Sequence, residues 1–211
     1  MAWEFTTGTA AETQHIAENL ATLLRAGDLV VLNGELGAGK TTFTQGLGRS
    51  LGVREGIISP TFVLVRIHPN LPEGPNPGGP HLVHVDAYRL ATPGEIDDID
   101  LENTMDSAVT VVEWGADRVE HLAASRLEIE LVRAVGGVSQ AAGTPTAPTA
   151  AVAPAASADD ELDPDLGFEL DFDEDSEDDQ EPRLLRLRAI GPRWDGVDFG
   201  ALADRAGRAV E

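Results

Sequence analysis

Gly34-Glu35-Leu36-Gly37-Ala38-Gly39-Lys40-Thr41 fits the phosphate-loop pattern G-x-x-x-x-G-K-S/T at every fixed position. Before it, Leu29-Val30-Val31-Leu32 is a short apolar run of buried-strand type, and after it residues 41–51 read as a helix. A loop in that setting holds polyphosphate by backbone N–H groups that point into a concavity. Glycine permits the positive φ angles and the close approach, and the following helix adds its unsatisfied N–H groups and positive dipole end. Lys40 then serves as a point charge bridging the β and γ phosphates, and the Thr41 hydroxyl as a ligand for Mg²⁺. Of the 15 basic residues in the chain, Lys40 is the single lysine. Arginine fills every other basic position, so the compact ammonium occurs only where phosphates are expected.

The composition narrows the remaining possibilities. A length of 211 residues suits one domain, or one domain with disordered matter attached. The formal charge of −22 argues against unaided binding to nucleic acid or an anionic membrane, both of which need basic surface. Fourteen of the acids lie in residues 159–181, which hold no basic residue, so the remainder is only moderately acidic. There is no cysteine, which excludes disulfides and thiolate metal sites. No apolar run is long enough to span a bilayer and the N-terminus lacks a signal pattern, so the expected location is the cytoplasm.

Working outward from the loop, Trp3 to Thr6 alternates like an edge strand. Thr9 with Glu12 forms a capping box ahead of the helical stripe Ile16, Leu20, Leu23 and Leu24. Ser59-Pro60-Thr61-Phe62 leads into the apolar run Val63 to Ile67. In a phosphate-loop protein a γ-phosphate sensor occupies such a loop, although by itself Ser-Pro-Thr also reads as a turn entering a strand. Residues 69–80, dense in proline and glycine, read as a flexible tip between two strands. Leu82-Val83-His84-Val85-Asp86 is a strand ending in a carboxylate that either orients the Mg²⁺ shell or attacking water, or caps the next turn. His81 and His84 have no partners at metal-ligand spacing and read as loop and strand residues.

A short acidic helix is expected from Thr92 to about Glu102, followed by the buried strand Val109-Thr110-Val111-Val112-Glu113. Glu113 is a second strand-end carboxylate, able to complete Mg²⁺ coordination with Thr41. Trp114 is either a core aromatic or a residue that serves a partner. Leu127 to Val132 and Leu184 to Ala189 both alternate with period two and pair as a hairpin with a greatly enlarged connection. That connection, Ala/Pro-rich over 136–158 and then acidic, cannot bury enough apolar surface to order itself. A closing amphipathic helix is expected over 197–210.

The predicted fold is α/β, a P-loop NTPase-like central sheet flanked by helices, with a disordered acidic insertion in a C-terminal hairpin. Residues 1–135 form the core, 136–182 the insertion, and 183–211 the last strand and closing helix.

Four motifs occur in order: Gly34 to Phe43, Ser59-Pro60-Thr61-Phe62, His84-Val85-Asp86-Ala87-Tyr88-Arg89-Leu90, and Val112-Glu113-Trp114. Together they resemble the TsaE (YjeE) family, the P-loop ATPase of bacterial tRNA threonylcarbamoyladenosine synthesis. The resemblance implies an ATPase that works with TsaD-like and TsaB-like proteins and meets tRNA only through them. By position it implies that Glu35, Leu36, Gly37, Ala38, Gly39, Lys40, Thr41 and Thr42 hold the phosphates of ATP. It makes Thr41 and Glu113 the ligands of Mg²⁺, places Thr61 in a switch-like loop, and gives Asp86 the acid role in hydrolysis. Thr9 falls near where the family packs the nucleotide base. Gly115 and Ala116 stand where family members often carry a polar or acidic residue, and Asp117 follows one place later.

Two other readings share the loop. A small P-loop kinase would want an arginine-rich lid, for which only Arg118 and Arg126 are loosely available; a nucleotide-gated adaptor would not need both Asp86 and Glu113. A GTPase is disfavoured because the guanine-reading Asn-Lys-x-Asp motif is missing.

Overall fold

Strand β2 (Leu29–Asn33) is buried on both faces at its first four positions, as a central parallel strand must be. In the computed structural model, which describes residues 2–90, 92–97, 99, 101–133 and 181–203, its side chains feed two cores. Val30 and Leu32 pack beneath helices α1 (Ala10–Ala21) and α2 (Lys40–Leu51), with Leu20, Phe43 and Leu47. Leu29 and Val31 pack on the opposite face with Ile96 of α3 (Pro93–Asp97) and Met105 of α4 (Glu102–Met105). The acidic helix expected from Thr92 to about Glu102 is shorter, Pro93–Asp97, and α4 begins only at Glu102.

The other strands are β1 (Ala2–Thr7), β3 (Val65–His68), β4 (His81–Asp86), β5 (Ala108–Glu113), β6 (Arg126–Arg133) and β7 (Arg183–Ile190). They form one sheet in the order β1-β7-β6-β2-β5-β4-β3. Strands β6, β2, β5 and β4 run parallel, whereas β3, β7 and β1 are each antiparallel to their neighbours. The mixed sheet confirms the α/β class. Leu127 faces Ala189 and Val132 faces Leu184, so β6 and β7 pair as the alternation predicts. The connection between them, over 134–180, lies outside the described residues.

Helix α1 begins at Thr9, whose Oγ1 accepts from the Glu12 amide at 3.1 Å. The reciprocal bond lands one residue early, on the Gly8 amide, which donates to Glu12 Oε2 at 2.6 Å. Helices α1 and α2 meet at Gly46, where an added Cβ would lie 2.3 Å from the Gln14 carbonyl oxygen and 2.7 Å from its Cα. Backbone cannot yield there as a side chain can. Gly46→Ala is therefore expected to lower unfolding stability by about 2 kcal/mol in urea titration, with the slope unchanged. A wild-type midpoint would show that the helices can slide apart.

The proline-rich tip joins the antiparallel strands β3 and β4, as expected, and is anchored to α2. Asn70 Nδ2 donates to the carbonyls of Leu51 and Asn76, each at 2.8 Å, and the Leu71 amide donates to Gly52 O at 2.8 Å. A helix over 197–210 is not what the described part of that stretch forms. The chain makes a 3-10 turn at Gly200–Leu202, and 204–211 lie outside the described residues. Phe199 sets this path by burying its ring completely, with centroids 4.8 Å from Trp3 and 5.8 Å from Trp194. Arg193 adds a bidentate ion pair to buried Asp28, both bonds at 3.1 Å.

Candidate functional site

Parallel register gathers the candidate residues at one end of the sheet. Asp86 and Glu113 are cross-strand partners on β4 and β5, and Glu113 is also opposite Leu32 of β2, just before the glycine-rich loop. The loop therefore leaves the carboxyl end of β2 beside two carboxylates at the carboxyl ends of its neighbours, where open parallel sheets bind their ligands. Gly34, Gly37 and Gly39 have φ of 144°, 76° and 97°. Gly34 admits no side chain, since a Cβ would lie 2.4 Å from the Leu131 carbonyl oxygen.

Leu36, Gly37, Gly39, Lys40, Thr41, Thr42, Ser59, Thr61, Asp86, Glu113 and Trp114 line a cleft of about 270 Å³. Ala38 is buried beneath the loop, and Glu35 contributes its carbonyl. Thr9 is not among the lining residues, and its hydroxyl is taken up by the helix cap.

Lys40 is 5 % exposed. Its Nζ donates to the carbonyls of Gly34 and Glu35, both at 2.9 Å, and lies 3.9 Å from the centre of the Trp114 ring. Burial pulls its pKa below the ordinary 10.5, against the raising influence of Glu113 and Asp86. Trp114 holds a left-handed φ of 61°, which a bulky residue adopts only under constraint. The constraint is visible: its amide donates to Leu32 O at 2.9 Å, and Arg118 Nη1 donates to the Trp114 carbonyl at 3.0 Å and the Ala87 carbonyl at 2.7 Å. That turn places the ring over Lys40.

The Thr41 hydroxyl donates to Glu113 Oε1 at 3.0 Å. His84 Nε2 lies 2.8 Å from the same oxygen, with the histidine fully buried. In the tautomer carrying the proton on Nε2, His84 donates and fixes the carboxylate toward Thr41. Asp86 Oδ2 accepts from Ser59 Oγ at 3.0 Å and from the Thr61 hydroxyl, and Asp86 Oδ1 accepts from the Tyr88 amide at 3.0 Å. Asp86 thus caps the following turn, one of the two roles open in sequence, and also binds the Ser59–Thr61 loop.

His84 is the residue that the sequence reading passed over. Metal-ligand spacing was the wrong test. Period two already places His84 on the face of Asp86, but the carboxylate it meets comes from the next strand and requires the register. Chemically, the loop amides and Lys40 could hold a polyphosphate. The hydroxyl and carboxylate of Thr41 and Glu113 are hard oxygen donors suited to Mg²⁺. Among the described residues, no cluster of three or more His, Cys, Asp or Glu is placed to hold a metal ion.

Fold and site define an α/β protein with a glycine-rich strand-to-helix loop flanked by paired strand-end acids. Residues 7–138 match the family model of the threonylcarbamoyl adenosine biosynthesis protein TsaE, and the chain belongs to that family. It is 54 % identical over 124 residues to the tRNA threonylcarbamoyladenosine biosynthesis protein TsaE of Streptomyces coelicolor, covering 58 % of this chain and 80 % of that one. The Bacillus subtilis protein of the same name is 37 % identical over 124 residues, with 58 % and 73 % covered. The crystal structure of B. subtilis YdiB superposes with a TM-score of 0.59 at 22 % identity, over 99 % of this chain and 97 % of that one, a likeness of fold.

Proposed function

We propose that this chain is an ATP-hydrolysing accessory subunit of the complex that makes tRNA N6-threonylcarbamoyladenosine. It works in the cytoplasm with TsaD-like and TsaB-like partners and meets tRNA only through them. The observation that carries the proposal is the convergence of Lys40, Thr41, Glu113 and Asp86 on one glycine-rich loop. No helix among the described residues is long and apolar enough to cross a membrane.

In this reading the loop amides from Glu35 to Thr42 cradle the phosphates, and Lys40 exchanges its two carbonyl partners for phosphate oxygens. Thr41 and Glu113 would hold Mg²⁺, which when bound offsets the charge of the β and γ phosphates. His84 keeps Glu113 turned toward Thr41. Asp86 accepts a proton from, or orients, the attacking water, while Ser59 and Thr61 on the same carboxylate couple their loop to the γ-phosphate. Leu36, which lines the cleft, and Phe62, next to Thr61 in sequence, are 87 % and 85 % exposed and supply apolar surface of the kind a protein partner covers.

The test is phosphate release from Mg·ATP, measured with and without a purified TsaD–TsaB pair. Slow release alone that accelerates about tenfold or more with the pair is the expected outcome for a gated catalyst. Absence of release in both conditions would leave only a nucleotide-dependent adaptor. Transfer to a small-molecule acceptor would indicate a kinase instead.

A further inference from the structure

The enlarged β6–β7 connection departs from and returns to the sheet beside the phosphate loop. Leu131, near the end of β6, has its carbonyl oxygen in the space that a Cβ on Gly34 would fill. Arg133, the last residue of β6, has Nη1 3.3 Å from the Cβ position of Gly37. Arg183, the first residue of β7, has Nε 4.0 Å from that of Gly39. Two guanidinium groups therefore stand beside Gly37 and Gly39 of the loop. Both are turned onto one anion. Glu181, the last acid of the 159–181 run, lies with Oε2 2.5 Å from Arg133 Nη2, 2.8 Å from Arg133 Nε and 3.6 Å from Arg183 Nη1. Arg183 also donates to the Glu181 carbonyl.

We propose that Arg133 and Arg183 are a second anion-binding point of the loop, filled by the Glu181 carboxylate when no nucleotide is bound and taken over by phosphate oxygen when one is. This rests on the phosphate-binding reading above and extends it to two residues and one internal competitor. The chemistry suits the exchange. A guanidinium fork accepts carboxylate and phosphate in the same planar geometry, and phosphate brings more charge. The Arg133–Glu181 pair is also only partly buried, with side chains 32 % and 42 % exposed, so water can replace the carboxylate as it leaves. In a chain of charge −22, the pair adds positive charge beside a loop that already carries Lys40. By taking up part of that charge, Glu181 sets the resting affinity lower than the loop itself would have.

The test is calorimetric titration of the full chain with Mg·ATP and, separately, with inorganic tripolyphosphate, which probes the loop without a nucleoside. Glu181→Gln is expected to tighten binding of both about fivefold, the effect of releasing one partly exposed ion pair. Arg133→Gln with Arg183→Gln should weaken both about tenfold. In that arginine-free background, Glu181→Gln should change nothing, because no pair remains to release. Melting temperature checks that each variant is folded, and Arg133→Lys with Arg183→Lys, which keeps the charge, should recover part of the affinity. An unchanged affinity in Glu181→Gln, or an equal gain with the arginines absent, overturns the proposal. A chain that binds tripolyphosphate with this dependence but never hydrolyses ATP would retain the anion site and lose the ATPase reading. One that binds neither probe would lose both.

Discussion

Replacing Lys40 with alanine should weaken ATP binding by about a hundredfold and leave the chain folded. The ammonium is the one lysine charge in the molecule, and its present partners, the Gly34 and Glu35 carbonyls, belong to the loop that would hold the phosphates. Its removal takes away a desolvated charge with its two carbonyl bonds and its contact with the Trp114 ring, not part of either core, so the melting temperature should move little. Calorimetric titration reads the first effect and thermal unfolding the second. Retained affinity in a folded Lys40→Ala variant would mean that the loop is a structural turn. A pH titration supplies an independent sign. Because burial holds the Lys40 pKa below 10.5, its charge is lost earlier than that of an exposed lysine as pH rises, and ATP affinity should fall in that interval. The stability of the nucleotide-free chain should rise over the same interval, since there the unfolded chain retains a proton that the folded one has released.

Asp86→Asn should do the opposite to the balance of binding and turnover. The expected result is a fall of about a thousandfold in kcat with ATP affinity changed less than about threefold. The amide is the same shape and can still cap the Tyr88 turn through its oxygen, but it cannot take a proton. It also presents a donor where the carboxylate accepted from Ser59 and Thr61. Single-turnover phosphate release together with titration separates the two quantities. Glu113→Ala should resemble Asp86→Asn in sparing affinity more than hydrolysis. Equal loss of affinity in Lys40→Ala, Asp86→Asn and Glu113→Ala would end the division of roles assigned to them.

Much of this arrangement could be read from residue order because the chemistry-bearing positions sit on local signals. Gly34 to Thr41 declares itself by spacing, Asp86 and Glu113 by closing apolar runs, and β6 and β7 by alternation. What was not legible depends on contacts between distant segments. His84 finds Glu113 only through the β4–β5 register, and Trp114 reaches Lys40 only because Arg118 holds a left-handed turn. Over the described part of the expected terminal helix, Phe199 buries itself between Trp3 and Trp194, a tertiary gain that local periodicity does not announce. The anchoring of the proline-rich tip is hidden for a similar reason, since nothing local announces that Asn70 reaches the end of α2.

The strand order has a temporal side as well. Among the described residues, the strand partner of β1 is β7, and Glu4 meets Arg186 across 182 residues of chain. On a ribosome, β1 emerges early with its pairing edge open and waits while everything up to Arg183 is synthesised, on the order of ten seconds or more. The parallel strands can assemble in the interval, but the aromatic cluster of Trp3, Trp194 and Phe199 cannot close until Phe199 has left the exit tunnel. Lengthening the β6–β7 connection postpones that closure, so a longer insertion places a burden on the nascent chain and its chaperones.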